Sequence, residues 1–346
     1  NNVAQDGLQT VKGSIFVGVF CDAFKQPRPA GNGQLTDLTG LNSLTELDGS
    51  LVLGFNDTLQ NFAGLDALAT IGGDLVLAGS SMDDFSGADA LTTINGNFVI
   101  GQFFGNDDSV LTQLFDAGPD GLFNTTDDVA HDARVTVNLD VDNNGDTAFP
   151  ALTTIGKDLV VAKSDTNNLR IADALDAING RLILHDSDLD DLTGLESLQT
   201  LGGLVVGFAI DNQGKLLAGG NNNFSSFTGL NVANVGAGGF DVGFNNSLQD
   251  FGGLSVTAVA GSVTIAQEGF TDLNDLDLVT IGGDLNIGAI VNGNDQPVDG
   301  NLPNLTALQL NNLINVGGNV LIAFNPKLTD VGFAQLGPVV GKRDRL

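Results

Sequence analysis

The chain has 346 residues with 42 acidic against 13 Lys and Arg, a net charge of −29, which excludes nucleic-acid partners held through phosphates. Its 42% hydrophobic content excludes disorder for want of apolar surface, and no apolar run reaches the 18 or more residues of a membrane span. A single cysteine excludes an intrachain disulfide; 39 of the 42 acids are Asp, and 47 Gly stand against eight Pro, a composition of many tight turns and few helices.

One short phrase recurs along the chain: an aliphatic residue, a Gly-containing corner and a short apolar strand. It reads VKGSIFV from Val11, LDGSLVL from Leu47, IGGDLVL from Ile71, INGNFVI from Ile94, IGKDLVV from Ile155 and INGRLIL from Ile178. It continues as LGGLVV from Leu201, VGAGGFDV from Val235, VAGSVTI from Val259, IGGDLNI from Ile281 and VGGNVLI from Val316. The eleven copies follow at steps of 36, 24, 23, 61, 23, 23, 34, 24, 22 and 35 residues, a base period of about 23 with four lengthened steps. A fixed period of this size is the mark of a solenoid, because one repeat cannot bury its own apolar row and stacked neighbours can.

SIFVGVF before Cys21 has the look of a secretory leader, but Phe20 is too large for a usual cleavage site and the segment fits the repeat. The half-repeat before each anchor carries Leu at three-residue spacing, as in Leu35, Leu38, Leu41, Leu44 and Leu47. The interspersed Thr, Ser, Asp and Gly argue against helix there and predict strands joined by sharp bends. After the anchor come Gly54-Phe55-Asn56, Gly243-Phe244-Asn245 and Ala323-Phe324-Asn325. The Phe is expected to pack inside at a corner, and the Asn to satisfy backbone groups of the turn. The extra residues leave just after the anchor strand, as insertions over about Gly18–Gly33, Gly101–Phe149, Gly207–Asn223 and Gly288–Asn301. The expected fold is therefore all-β: one right-handed β-helix, or solenoid, of about 11–12 coils over 1–346, with a ~23-residue repeat and loop insertions on one edge.

The Leu-rich lead-in, Gly corner and short strand, seen in LTGLESLQTLGGLVV (Leu192–Val206) and ALDAINGRLIL, resemble the receptor L-domain repeat. That family includes ligand-binding domains of the insulin and epidermal-growth-factor receptors, fungal cell-wall proteins and bacterial surface proteins. The resemblance implies a right-handed β-helix related to leucine-rich repeats. The receptors' cysteines are missing here, so the likeness is nearest to the bacterial members.

The insertion at 101–150 holds the clearest chemical signal. Asp140, Asp142, Asn144 and Asp146 form a D-x-D-x-N-G-D loop, and Asp116, Asp120, Asn124, Asp127 and Asp128 form an Asp/Gly segment upstream. Oxygen ligands at alternate positions with Gly at the turn suit calcium, although position twelve is Ala151 where an EF-hand has Glu. Lys157, Lys163, Arg170, Arg181 and His185 make a basic cluster, read as neutralising the Asp-rich insertion. Thr pairs in LTTI at Leu91 and Leu152 are taken as lying in non-successive coils, which argues against a Thr-lined face. Cys21 has two readings, a buried small side chain or an intermolecular cross-link. The chain opens on Asn, as a processed product would.

The function expected is a secreted or cell-surface, non-catalytic structural or adhesive protein. Its uncapped ends are expected to associate head to tail with further copies into filaments, the basic tail from Lys342 docking on a neighbour's acidic surface. Two alternatives stand beside it: a carbohydrate- or protein-binding receptor module with a groove formed by the insertions, and a polysaccharide lyase or hydrolase on a β-helix.

Overall fold

The computed structural model describes residues 7–21, 27–82, 84–104, 110–111, 113–116, 129–132, 136–137, 149–210, 215–291 and 297–337. Among them there is no α-helix, and nearly all regular structure is short strand. The chain divides into two compact units, Asn1–Leu175 and Asp176–Leu346.

In the first unit each anchor supplies two strands to parallel ladders. The short strands Thr10–Val11, Glu46–Leu47, Thr70–Ile71, Thr93–Ile94 and Thr154–Ile155 pair in that order. The principal strands Ile15–Val17, Leu51–Gly54, Leu75–Ala78, Phe98–Ile100 and Leu159–Ala162 pair in the same order, with Leu51 opposite Leu75 and Phe98 opposite Leu159. The second unit repeats the arrangement. Ala177–His185 pairs with Thr200–Val206, and that strand pairs with both Asn234–Val235 and Phe240–Gly243. The ladders continue to Asn315–Val316 and Val320–Ile322. Within each unit anchor faces anchor at every step, so the 61-residue step counts as a single rung, with Ile94 opposite Ile155.

The core is built from the positions that the period selects. Leu51, Leu53, Leu75, Leu77, Phe98 and Ile100 are all 1% exposed or less, as are their second-unit counterparts from Leu182 to Ile287. The middle residues, which strict alternation would place on the outer face, are also covered in most strands: Val52 and Val76 are 8% and 9% exposed, and Val99 and Val205 are fully buried. Strands buried on both faces read as continuous apolar runs, which is why LVL and FVI do not alternate with polar residues.

Most lead-in halves are turns, not strands; Ala307–Gln309 and Asp330–Gly332, which pair in parallel, are the exceptions. Leu41 N–H donates to Leu38 O and Leu44 N–H to Leu41 O, both at 2.8 Å, and the same i→i+3 bond recurs from Leu68 to Leu65 and from Leu198 to Leu195. Three residues per turn is the pitch of 3₁₀ structure, and Thr39–Leu41 is such a helix outright. The three-residue Leu spacing therefore marks consecutive tight turns that aim every third side chain inward. Phe rings extend this row: Phe62, Phe85 and Phe149 lie 5.4–5.9 Å apart in the first unit, and Phe227, Phe251 and Phe270 lie 4.9–5.7 Å apart in the second.

Candidate functional site

Each principal strand ends at a corner held in the left-handed region. In repeats without an insertion the turning residue comes four places after the first inward residue of the principal strand (Leu51 to Phe55, for example): Phe55, Gly79 and Lys163 in the first unit, Asp186, Phe244, Gln267 and Phe324 in the second, with φ between 44° and 64°. In the four repeats with an insertion the turn falls one residue earlier, on Gly18, Gly101, Gly207 and Gly288, with φ between 73° and 85°. The earlier turn leaves no room for a side chain. A Cβ on Gly207 would run into the Gly243 carbonyl oxygen, and one on Gly101 into that of Ala162. Glycine at this place thus selects whether the chain carries on into the next lead-in or leaves it.

What leaves is an antiparallel hairpin in every case. Val19–Cys21 pairs with Pro27–Pro29, Phe103–Phe104 with Val110–Leu111, Phe208–Ile210 with Leu216–Ala218, and Ala289–Val291 with Pro297–Asp299. Three of them are closed by the same glycine's carbonyl, which accepts from Ala30 on Gly18 at 2.8 Å, from Gly220 on Gly207 at 2.8 Å and from Gly300 on Gly288 at 3.1 Å. The hairpin roots are apolar and covered, with Val19 5% exposed and Phe208 and Ala289 fully buried. Farther out, Phe20, Leu217 and Val298, each at the middle rung of its hairpin, are 43%, 38% and 39% exposed. Cys21 is also exposed, which overturns its reading as a buried small side chain.

Behind the corner runs a row of buried polar side chains. In the first unit Asn56, fully buried, accepts on Oδ1 from Asn32 N–H and Nδ2 at 3.3 and 3.0 Å, and donates from Nδ2 to Val17 O at 3.0 Å. In the second unit Asn221 accepts from Ser187 Oγ at 2.8 Å and donates to Leu184 O at 3.0 Å and Asn245 Oδ1 at 3.1 Å. Asn245 donates to Gly243 O at 3.0 Å, to Val206 O at 3.3 Å and to Glu268 Oε1 at 2.8 Å. The expected backbone-satisfying role of these Asn residues is what the geometry shows. The expected burial of their Phe neighbours holds for Phe55 alone: Phe244 is half-buried and Phe324 is 45% exposed.

Two acids break the neutral pattern of the second unit. Glu268, 3% exposed, takes the place in the row that Asn or Ser holds elsewhere, and desolvation pushes its carboxyl up to about 8 against two hydrogen bonds from Asn245. Asp241 occupies the middle of a principal strand, opposite Val205 and Thr264. Burial pushes it up to about 7, with the Thr264 hydrogen bond and then the Arg181 charge acting to lower it. Arg181 reaches this face by lying across Gly203 and Gly238, where added side chains would meet its stem. Aligning the repeats exposes both departures: an acid where FDV replaces LVL, and Glu where GFN and AFN have Asn.

The remaining candidates are placed as follows. Asp116 is in the strand Gln113–Asp116, paired with Val129 of Val129–Asp132. Asp120, Asn124, Asp127, Asp128, Asp140, Asp142, Asn144 and Asp146 lie outside the described residues, and so does the tail from Lys342. Among the described residues no group of three or more His, Cys, Asp or Glu is placed to hold a metal. Of the basic cluster, Lys157 and Arg170 are exposed, Lys163 occupies a left-handed corner, Arg181 turns toward Asp241, and His185 is buried with Nδ1 3.4 Å from Asp186 Oδ2. The LTTI segments, expected in non-successive coils, lie on successive rungs: Thr93 pairs with both Thr70 and Thr154, and Thr153 Oγ1 donates to Thr92 O at 3.2 Å as Thr92 Oγ1 does to Ala69 O at 3.0 Å. Those hydroxyls fasten each rung to the one before. In the second unit a shallow groove of about 240 Å³ crosses four rungs at Asn234, Ala258, Thr280 and Asn315, with no charged side chain in its lining.

No family model, no curated protein and no solved structure matches the chain. No helix among the described residues is long and apolar enough to cross a membrane.

Proposed function

We propose that both units are right-handed β-solenoid stacks, about 11–12 coils in the chain, and that they act as a non-catalytic scaffold of a secreted or cell-surface structural or adhesive protein. The resemblance to receptor L-domain repeats of bacterial surface proteins belongs to the same reading. The observation that carries it is the common launch point of four hairpins. Within each unit, a regular scaffold whose excursions depart from one corner of the repeat presents them along one edge, and such loops are where binding resides in repeat proteins. The buried polar residues of the corner serve the scaffold itself, bonding to one another and to backbone. Exposed Phe20, Leu217 and Val298 supply apolar contact on the hairpins. The Asp-rich insertion binds calcium through the residues named above, and copies of the chain associate end to end.

The test removes hairpins one at a time. A chain in which two glycines replace residues 209–217, so that the buried root Phe208 stays and turns back to its partner Ala218, keeps its parallel-β circular dichroism and melts within a few degrees of the parent. Its adhesion to immobilised cell-wall glycan or to a bare polymer surface, followed by quartz-crystal microbalance, falls severalfold. Collapse of the fold on hairpin removal, or unchanged adhesion after removal of all the described hairpins, refutes the display role. Calcium is tested separately by the melting temperature of chelator-treated protein with and without the ion, against Asp140→Ala with Asp142→Ala. Sedimentation of the intact chain at high concentration tests association, and a sharp monomer boundary ends that part of the reading.

A further inference from the structure

We propose that Glu268 is a proton-operated latch: as a neutral carboxylic acid it completes the buried row of the second unit, and loss of its proton opens the corner that anchors the 289–299 hairpin. The row around it is made of amides and hydroxyls, with Ser187, Asn221 and Asn245 leading up to Glu268. Its Oε1 accepts from both N–H groups that Asn245 offers, backbone at 2.9 Å and Nδ2 at 2.8 Å. Its Oε2 is buried with no partner. A carboxylate in that position has one oxygen satisfied and the other desolvated with nothing to stabilise its charge, whereas the protonated group resembles the amide found in the neighbouring rungs. Burial raises its proton affinity in accord with this, and no charged group contributes to the shift.

The corner is joined directly to the hairpin. Gln267 N–H donates to Gly300 O, where the hairpin returns, and a Cβ on Gly300 would meet the side chain of Ala266. The hairpin's root presents apolar Ala289 and Ile290 to this region, and its one titratable residue among those described, Asp299, sits at the register position opposite Ala289. The next carboxylates along the chain, half-buried Asp272 and exposed Asp275, come after Phe270, and Asp241 belongs to the strand that precedes Asn245. Ionisation breaks the carboxyl O–H bond and passes the proton to solvent, leaving an anion that is stable only where water reaches it. The corner must open to admit that water, and the hairpin return bonded at Gly300 opens with it. This holds whatever the hairpins bind.

The experiment follows the protein from pH 5 to 9. Carboxyl carbon NMR of the intact chain reports the Glu268 titration. Amide hydrogen exchange at Asn245, Gln267 and Gly300, divided by the intrinsic exchange rate at each pH, reports opening. The expected result is a Glu268 midpoint near 8. Corner opening should rise by up to about tenfold per pH unit until that midpoint and then level off, as one proton released on opening requires. Glu268→Gln keeps the row neutral and should show a flat profile, and Glu268→Asn, the residue type of the preceding rung at Asn245, should do the same if Gln packs poorly. Asp241 is present in all three proteins, so their difference belongs to Glu268. A midpoint in the ordinary carboxylate range, or the same rise in Glu268→Gln, overturns the proposal.

Discussion

Asn245→Ala isolates the contribution of the buried row. The side chain is 1% exposed, donates to Gly243 O, Val206 O and Glu268 Oε1, and accepts from Asn221 Nδ2. Truncation leaves two or three of these groups short of a partner in a place water does not reach. Each such orphan costs on the order of 1–3 kcal/mol, and shared partners make the total less than additive. The sum expected is about 3 kcal/mol, because Asn221 keeps its bond to Leu184 O and Glu268 keeps the Asn245 backbone N–H. For a unit of this size that is roughly 6–12 °C in melting temperature. Urea unfolding by circular dichroism, with calorimetry beside it, measures the loss. Asn246→Ala is the control: its neighbour is exposed, and its bond to Asn222 Oδ1 at 2.6 Å is worth less than about 0.5 kcal/mol there. A loss below about 1 kcal/mol for Asn245→Ala, or one equal to the control, would falsify the argument that the row holds the corners together.

Gly207→Ala should destabilise by several kcal/mol, of order 3, because left-handed strain adds to a collision with the Gly243 carbonyl; equal melting of mutant and parent refutes the turn argument. Lys163→Gly, at φ 44°, should stabilise by about 0.5–1 kcal/mol by relieving a left-handed side chain, read as a higher urea midpoint at unchanged slope. Asp241→Asn should flatten part of the pH dependence of stability. Since the folded carboxyl lies near 7, above its unfolded value, the folded state holds the extra proton between about pH 4 and 7. Parent stability therefore falls as pH rises through that window, and a mutant with an unaltered profile shows that Asp241 is not responsible.

The period was legible from local chemistry alone. Anchors from Val11 to Val316 repeat because every rung needs the same aliphatic residues inward and the same compact Gly corner, so pattern and fold carry the same information. The insertion points were legible for the same reason, as extra residues always follow the anchor strand. Other features depend on what lies beside a residue in space. The three-residue Leu spacing fits bent strands or 3₁₀ turns equally, and only the hydrogen bond from Leu44 to Leu41 decides between them. Thr93 and Thr154 are 61 residues apart in the chain yet opposite each other, because an insertion leaves the ladder and returns to the next rung. Val52 and Val205 gain cover on an outer face that alternation alone leaves open. Glu268 reads as a surface acid by residue type. Its proton affinity comes from the rungs on either side, where Asn245 meets one oxygen and nothing meets the other: composition supplies a carboxyl, and stacking sets its charge.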